Sequence, residues 1–74
     1  MHVKVKLFAT LRKDRFDAKD LELPAGAKTA DVLKMIGIPE KDAALIFINS
    51  SHAGLDNDLK DGDTLALFPP VGGG

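Results

Sequence analysis

Thr64-Leu65-Ala66-Leu67-Phe68-Pro69-Pro70-Val71-Gly72-Gly73-Gly74 closes the chain, and it holds both a strand and the signal that ends it. Leu65 and Leu67 alternate onto one face of a short apolar run. Pro69 and Pro70 lack a backbone N–H and fix φ, so neither a helix nor a central strand continues through them. Consecutive glycines without Cβ atoms then make a thin, pliable strand able to enter a narrow channel. The expected organisation is a folded body over residues 1–70 and a flexible reactive tail over 71–74, with the terminal carboxylate of Gly74 as the reactive group. Terminal glycines are also common as plain disorder. The position of this run, just past a Pro-Pro break, favours the functional reading. Five residues from Pro70 onward span about 17 Å at ~3.4 Å each, enough to thread a partner's active site.

Working back from this strand, His2-Val3-Lys4-Val5-Lys6-Leu7-Phe8 has a period of two, with Val3, Val5 and Leu7 on the face to be buried. Thr10 to Lys19 is polar, with room for a helical turn around Leu11-Arg12-Lys13. Asp20-Leu21-Glu22-Leu23 then alternates as a second strand until Pro24-Ala25-Gly26 stops it. Thr29 reads as an N-cap, Asp31 suits the helix dipole, and Val32, Leu33 and Ile36 form an apolar stripe ending at Gly37. A helix of about two to three turns follows. The unbroken apolar run Ala43–Ile48 predicts a central strand covered on both sides or an inner part of a sheet. Asn49 to Asp63 is polar apart from Leu55 and Leu59, and Lys60-Asp61-Gly62-Asp63 has turn chemistry. The order strand, strand, helix, strand, strand predicts an α+β fold, with one helix across one face of a mixed sheet of about four strands.

The 74 residues suffice for one core, since a chain this short buries only about 60% of its unfolded surface. A composition of 45% hydrophobic and 28% charged residues is that of a globular protein and argues against disorder throughout. Ten basic and eleven acidic residues give a formal charge of −1, which supplies no electrostatic pull toward nucleic acid or an anionic membrane. With no cysteine there is no disulfide, thiolate ligand or cysteine nucleophile, and Met1 to Phe8 lacks the continuous apolar stretch of a signal peptide or membrane span. A cytoplasmic protein is expected.

Side-chain chemistry has little support. A calcium loop starting at Asp56 requires glycine at its sixth place and glutamate at its twelfth, where this chain has Asp61 and Leu67. The acids read as solvated turn residues, and no metal site is expected. His2 and His52 lack metal-ligand spacing and have no Ser/His/Asp constellation, so both read as surface histidines. Glycines 72 to 74 open no helix and so form no phosphate-binding loop.

Leu7-Phe8-Ala9 followed by Leu11-Arg12, Ile48-Asn49, Asp61-Gly62-Asp63 and Phe68-Pro69-Pro70-Val71 leading to Gly73-Gly74 resemble, in order along the chain, the small sulfur-carrier subunit of molybdopterin synthase, the MoaD family. The Phe-Pro-Pro-Val-x-Gly-Gly ending is its most specific part. The resemblance implies the ubiquitin-like β-grasp fold. It also implies that an E1-like adenylyltransferase uses Mg-ATP to adenylate Gly74, and that a sulfur donor displaces AMP to leave a covalent C-terminal thiocarboxylate. No cofactor is then held by the chain itself. The tail would enter the large molybdopterin synthase subunit, within a heterotetramer, and supply dithiolene sulfur to the pterin precursor of the molybdenum cofactor. Catalytic side chains would belong to that partner.

By the same resemblance Gly74 bears the chemistry, and Gly73, Gly72, Val71, Pro70, Pro69, Phe68, Phe8 and Arg12 are the partner-binding candidates. Alternation sends Phe8 outward, where an exposed aromatic suggests an interface anchor. Phe68 stays open between core and docking surface, and Arg12 between a partner contact and a solvated charge. The chain is shorter than is usual in the family, and Asn49-Ser50-Ser51-His52 replaces a segment that more often carries an aliphatic contact residue. Other uses of the same activated end are a ubiquitin-like modifier joined to lysines, or sulfur carriage for thiamine thiazole or another pathway. An inert tail on a plain interaction domain is the third class.

Overall fold

A computed structural model describes residues 1–70. Its regular elements are β1 (His2–Leu7), a 3₁₀ turn (Ala9–Arg12), β2 (Ala18–Glu22), α1 (Thr29–Ile36), a second 3₁₀ turn (Glu40–Asp42), β3 (Leu45–Ile48), β4 (Ser51–Ala53) and β5 (Thr64–Phe68). The strands form one mixed sheet in the order β2-β1-β5-β3-β4. Only the β1–β5 pairing is parallel among them, with Val5 opposite Leu65 and Leu7 opposite Leu67. Val3, Val5, Leu7, Leu65 and Leu67 are at most 1% exposed, and they share one core with Val32 and Leu33 of α1. This is the helix-on-sheet arrangement of a β-grasp.

The helix start corrects the sequence reading. Lys28, with φ −112 and ψ 168, occupies the cap position, and Thr29 is the first helical residue. The free amides of the first turn are taken by backbone carbonyls instead of a hydroxyl: Thr29 N–H donates to Asn57 O at 3.1 Å and Ala30 N–H to Leu55 O at 3.0 Å. The Asp31 carboxylate accepts the Lys28 N–H at 2.9 Å. The Thr29 side chain is left fully buried, with no hydrogen-bond partner for its hydroxyl among the described residues. At the other end Gly37, at φ 74, supplies the left-handed stop, and Arg15 donates to the Gly37 carbonyl at 3.0 Å. An exposed Lys28–Asp58 pair at 2.7 Å adds a clip between the cap and the β4–β5 connection. The mutual hydrogen bond raises the ammonium's pKa and lowers the carboxylate's. In such an exposed setting the pair contributes little stability.

The sheet has a fifth strand, β4, which the polar sequence Ser51-His52-Ala53 conceals. Asn49 and Ser50 form the two-residue turn that joins it to β3, with φ values of 51 and 70. Positive φ at both positions is what a tight hairpin demands. Asn49 tolerates it, and its side chain also ties the turn to β5: its Oδ1 accepts the Thr64 N–H at 2.9 Å and its Nδ2 donates to Asp63 at 2.8 Å. β5, rather than the Ala43–Ile48 run, is the central strand; β3 begins only at Leu45 and lies between β5 and β4. Leu45 is 39% exposed and Phe47 half-buried, so that run is covered on one side only.

Two substitutions test these local readings by denaturant unfolding. Thr29→Val is expected to stabilise the fold by about 1 kcal/mol, because it removes a buried hydroxyl left unpaired. A true N-cap would lose about that much. Ser50→Gly is expected to stabilise by roughly 0.5–1 kcal/mol through relief of its positive φ.

Candidate docking face

Alternation that buries Leu7, Leu65, Leu67 and Ile46 under the helix side sends Phe8, Phe68, Phe47 and Leu45 to the opposite face. Phe8 follows the last residue of β1, yet its N–H still donates to Leu67 O at 3.2 Å, so the ladder carries one residue further. Ala9 then takes φ 53 and turns the chain away into the 3₁₀ segment. The Phe8 and Phe68 rings stack with centroids 4.3 Å apart and planes at 8°. Phe47 meets Phe68 edge-on at 5.7 Å and 85°, and His52 meets Phe47 at 5.7 Å and 68°. Each such aromatic pair is worth about 0.5–1.5 kcal/mol beyond the area it buries.

The rings border a groove over the small Ala66 of the central strand, with Lys6, Asn49 and Thr64 among its polar edges. Among the described residues its lining has no histidine or carboxylate, and Lys6 is its one charged side chain. β5 runs straight out of it: Phe68 ends the strand, Pro69 is half-buried and Pro70 is exposed. The groove and the departure point of the chain end are therefore adjacent.

Phe8 and Phe68 are thus brought together, with Pro69 next along the chain, and Phe68 lies on the outer face. Arg12 is exposed at the end of the first 3₁₀ turn, outside the groove. Its side chain makes no hydrogen bond or ion pair among the described residues, which fits a solvated charge and a partner contact alike. Val71, Gly72, Gly73 and Gly74 lie outside the described residues. Phe47 and Lys6 were absent from the sequence-derived set. The signal for Phe47 was its alternation with Ile46 and Ile48 in a strand apolar on both faces. The acids that suggested a calcium loop act as local acceptors: Asp61 takes the His2 N–H at 2.7 Å, Asp63 the Lys60 N–H at 2.8 Å, and Asp58 pairs with Lys28. Among the described residues no three His, Asp or Glu side chains converge as metal ligands, and no helix is long and apolar enough to cross a membrane.

The ThiS family model matches residues 5–74, the outer strands, the aromatic face and the chain end together. The chain belongs to the ThiS family. Solved structures agree in fold over nearly the whole length. A Pyrococcus furiosus protein provisionally described as molybdopterin converting factor subunit 1 is 35% identical, covering 96% of this chain and 99% of that one, with a TM-score of 0.78. SAMP1 of Haloferax volcanii is 26% identical, with full coverage of both chains and a TM-score of 0.78. A Helicobacter pylori complex of subunits 1 and 2 of molybdopterin-converting factor includes a match at 25% identity, full coverage of both chains and a TM-score of 0.66. This ThiS-family chain is a ubiquitin-like sulfur carrier of the ThiS/MoaD type, and its five-stranded β-grasp is that of these relatives.

If the aromatic face is a contact surface, removing one of its rings spares the fold. Phe8→Ala is expected to cost less than a core truncation in chemical denaturation, since a half-buried ring loses its stacked pair, about 0.5–1.5 kcal/mol, and only part of its apolar burial. Leu67→Ala, deep in the core, is expected to cost about 2–5 kcal/mol.

Proposed function

We propose that this protein carries sulfur for molybdenum cofactor synthesis from the cytoplasm, with Gly74 as the carrier atom's attachment point. The reading rests on one observation above others: an aromatic groove lies where β5 leads into Phe68-Pro69-Pro70-Val71-Gly72-Gly73-Gly74. In this account an E1-like enzyme activates the Gly74 carboxylate, whose oxygen attacks the α-phosphorus of Mg-ATP and expels pyrophosphate. Sulfur at the sulfide level, HS⁻ released by a donor, then attacks the acyl carbon and expels AMP, leaving a thiocarboxylate. The aromatic face docks the body on a large subunit while the tail reaches that subunit's active site. The Helicobacter pylori complex of subunits 1 and 2 supports a large-subunit partner, and the 35% identity to the Pyrococcus furiosus protein supports this branch over others.

A second reading is supported by the full-length similarity to SAMP1, a modifier. There the same adenylated Gly74 would pass to a lysine amine and form an isopeptide bond. Carriage for thiazole synthesis uses the same chemistry, but the Phe68-Pro69-Pro70 element argues for the molybdenum branch.

Intact-mass spectrometry of the protein isolated from its host separates these readings. Sulfur carriage predicts replacement of one oxygen by sulfur at Gly74, whereas lysines of other proteins that carry residues 61–74 in isopeptide linkage after tryptic cleavage at Lys60 support the modifier. Neither product would leave the tail inert and the proposal wrong. Deleting Gly73-Gly74 is expected to abolish transfer while changing the unfolding midpoint very little, since the tail beyond Val71 has no apolar side chain to bury.

A further inference from the structure

The outer face carries a column of basic side chains along β1, and they are not equivalent. His2 Nε2 lies 3.1 Å from Glu22 Oε1 across the ladder. Lys4 stands opposite Asp20 and shares a groove with Asp20 and Asp63. Lys6 stands opposite Ala18 on one side and Ala66 on the other. It is exposed, and every other residue of its groove is uncharged. Among the described residues it has no carboxylate within ion-pair distance.

We infer that Lys6 is the charge-selective contact of the aromatic face, and that the protein surface received there places a carboxylate beside its apolar contact. The inference rests on the docking reading of that face. Anything seated over Phe8, Phe47 and Phe68 covers the Lys6 stem and strips water from part of its ammonium. An ammonium deprived of water without an anion is costly, so a purely apolar partner is penalised and one bearing a carboxylate is not. An aromatic patch alone would adhere to many apolar surfaces. A single uncompensated cation at its edge supplies discrimination and faster encounter with an acidic partner.

Titration calorimetry of the full chain against two probes, the host's converting-factor subunit 2 and its E1-like adenylating enzyme, tests this. Lys6→Gln is expected to weaken binding by about threefold and Lys6→Glu by about tenfold at low salt, with Lys6→Arg close to wild type. These gaps narrow as the Debye length shrinks from about 10 Å at 0.1 M to about 3 Å at 1 M salt. Lys4→Gln, whose cation already faces acids, changes affinity by less than about twofold. Lys6→Gln and Lys6→Glu both matching wild type, with the same salt dependence, would overturn the inference while Phe8→Ala still weakens binding. If Phe8→Ala binds as tightly as wild type, or wild type binds neither probe, the docking reading falls and this inference with it.

Discussion

The parallel ladder between the first and last strands is the constraint on which the rest depends. It sets Val5 against Leu65 and Leu7 against Leu67, side chains that are at most 1% exposed, and so joins the two ends of the chain at the centre of the core. Parallel strands need a long crossover between them. Here α1 and the β3–β4 hairpin lie within that crossover, and Val32 and Leu33 cover the ladder from one side. A slip of one residue would exchange the two faces and bury charge in place of leucine, so the register is strongly specified.

The same register builds the other face. One residue beyond the Leu7–Leu67 pair on each strand stand Phe8 and Phe68, and their rings stack because their backbones are already paired. The core and the aromatic face are therefore two sides of one ladder. The Asn49 clasp adds to this, since it fixes the β3–β4 turn to the first residue of β5 and thereby the line along which β5 delivers Pro69 and Pro70. A domain with little area to spare thus uses one sheet for its core on one face and for the aromatic groove on the other.

Much of this was legible in the residues because the relevant signals are local. The period of two in His2–Leu7, the stop at Gly37 and the Pro-Pro break each follow from the geometry of a few consecutive residues. The outward turn of Phe8 followed from the same alternation. What escaped reading depends on pairing between distant segments. Thr29 looked like a cap because nothing in sequence reveals that carbonyls of Leu55 and Asn57 already reach the helix start. β4 was hidden because a three-residue segment with two polar side chains gains strand geometry only by pairing with β3. The apolar run ending at Ile48 reads equally as a strand covered on both sides or as an inner strand of a sheet; it is the latter, between β5 and β4, with one side on a groove, because an apolar groove wall and a core strand have the same composition. Lys6 was invisible for a similar reason, since its isolation is defined by Ala18 and Ala66 on neighbouring strands.

The central claim is that the face opposite the helix receives the partner. Hydroxyl-radical footprinting of the chain, free and bound to converting-factor subunit 2, tests it directly, because Phe8, Phe47 and Phe68 lie on that face and Met35, 56% exposed, lies on the helix. The account predicts that binding lowers oxidation of the three phenylalanines and leaves Met35 unchanged. Protection of Met35 with the phenylalanines as reactive as before would contradict it.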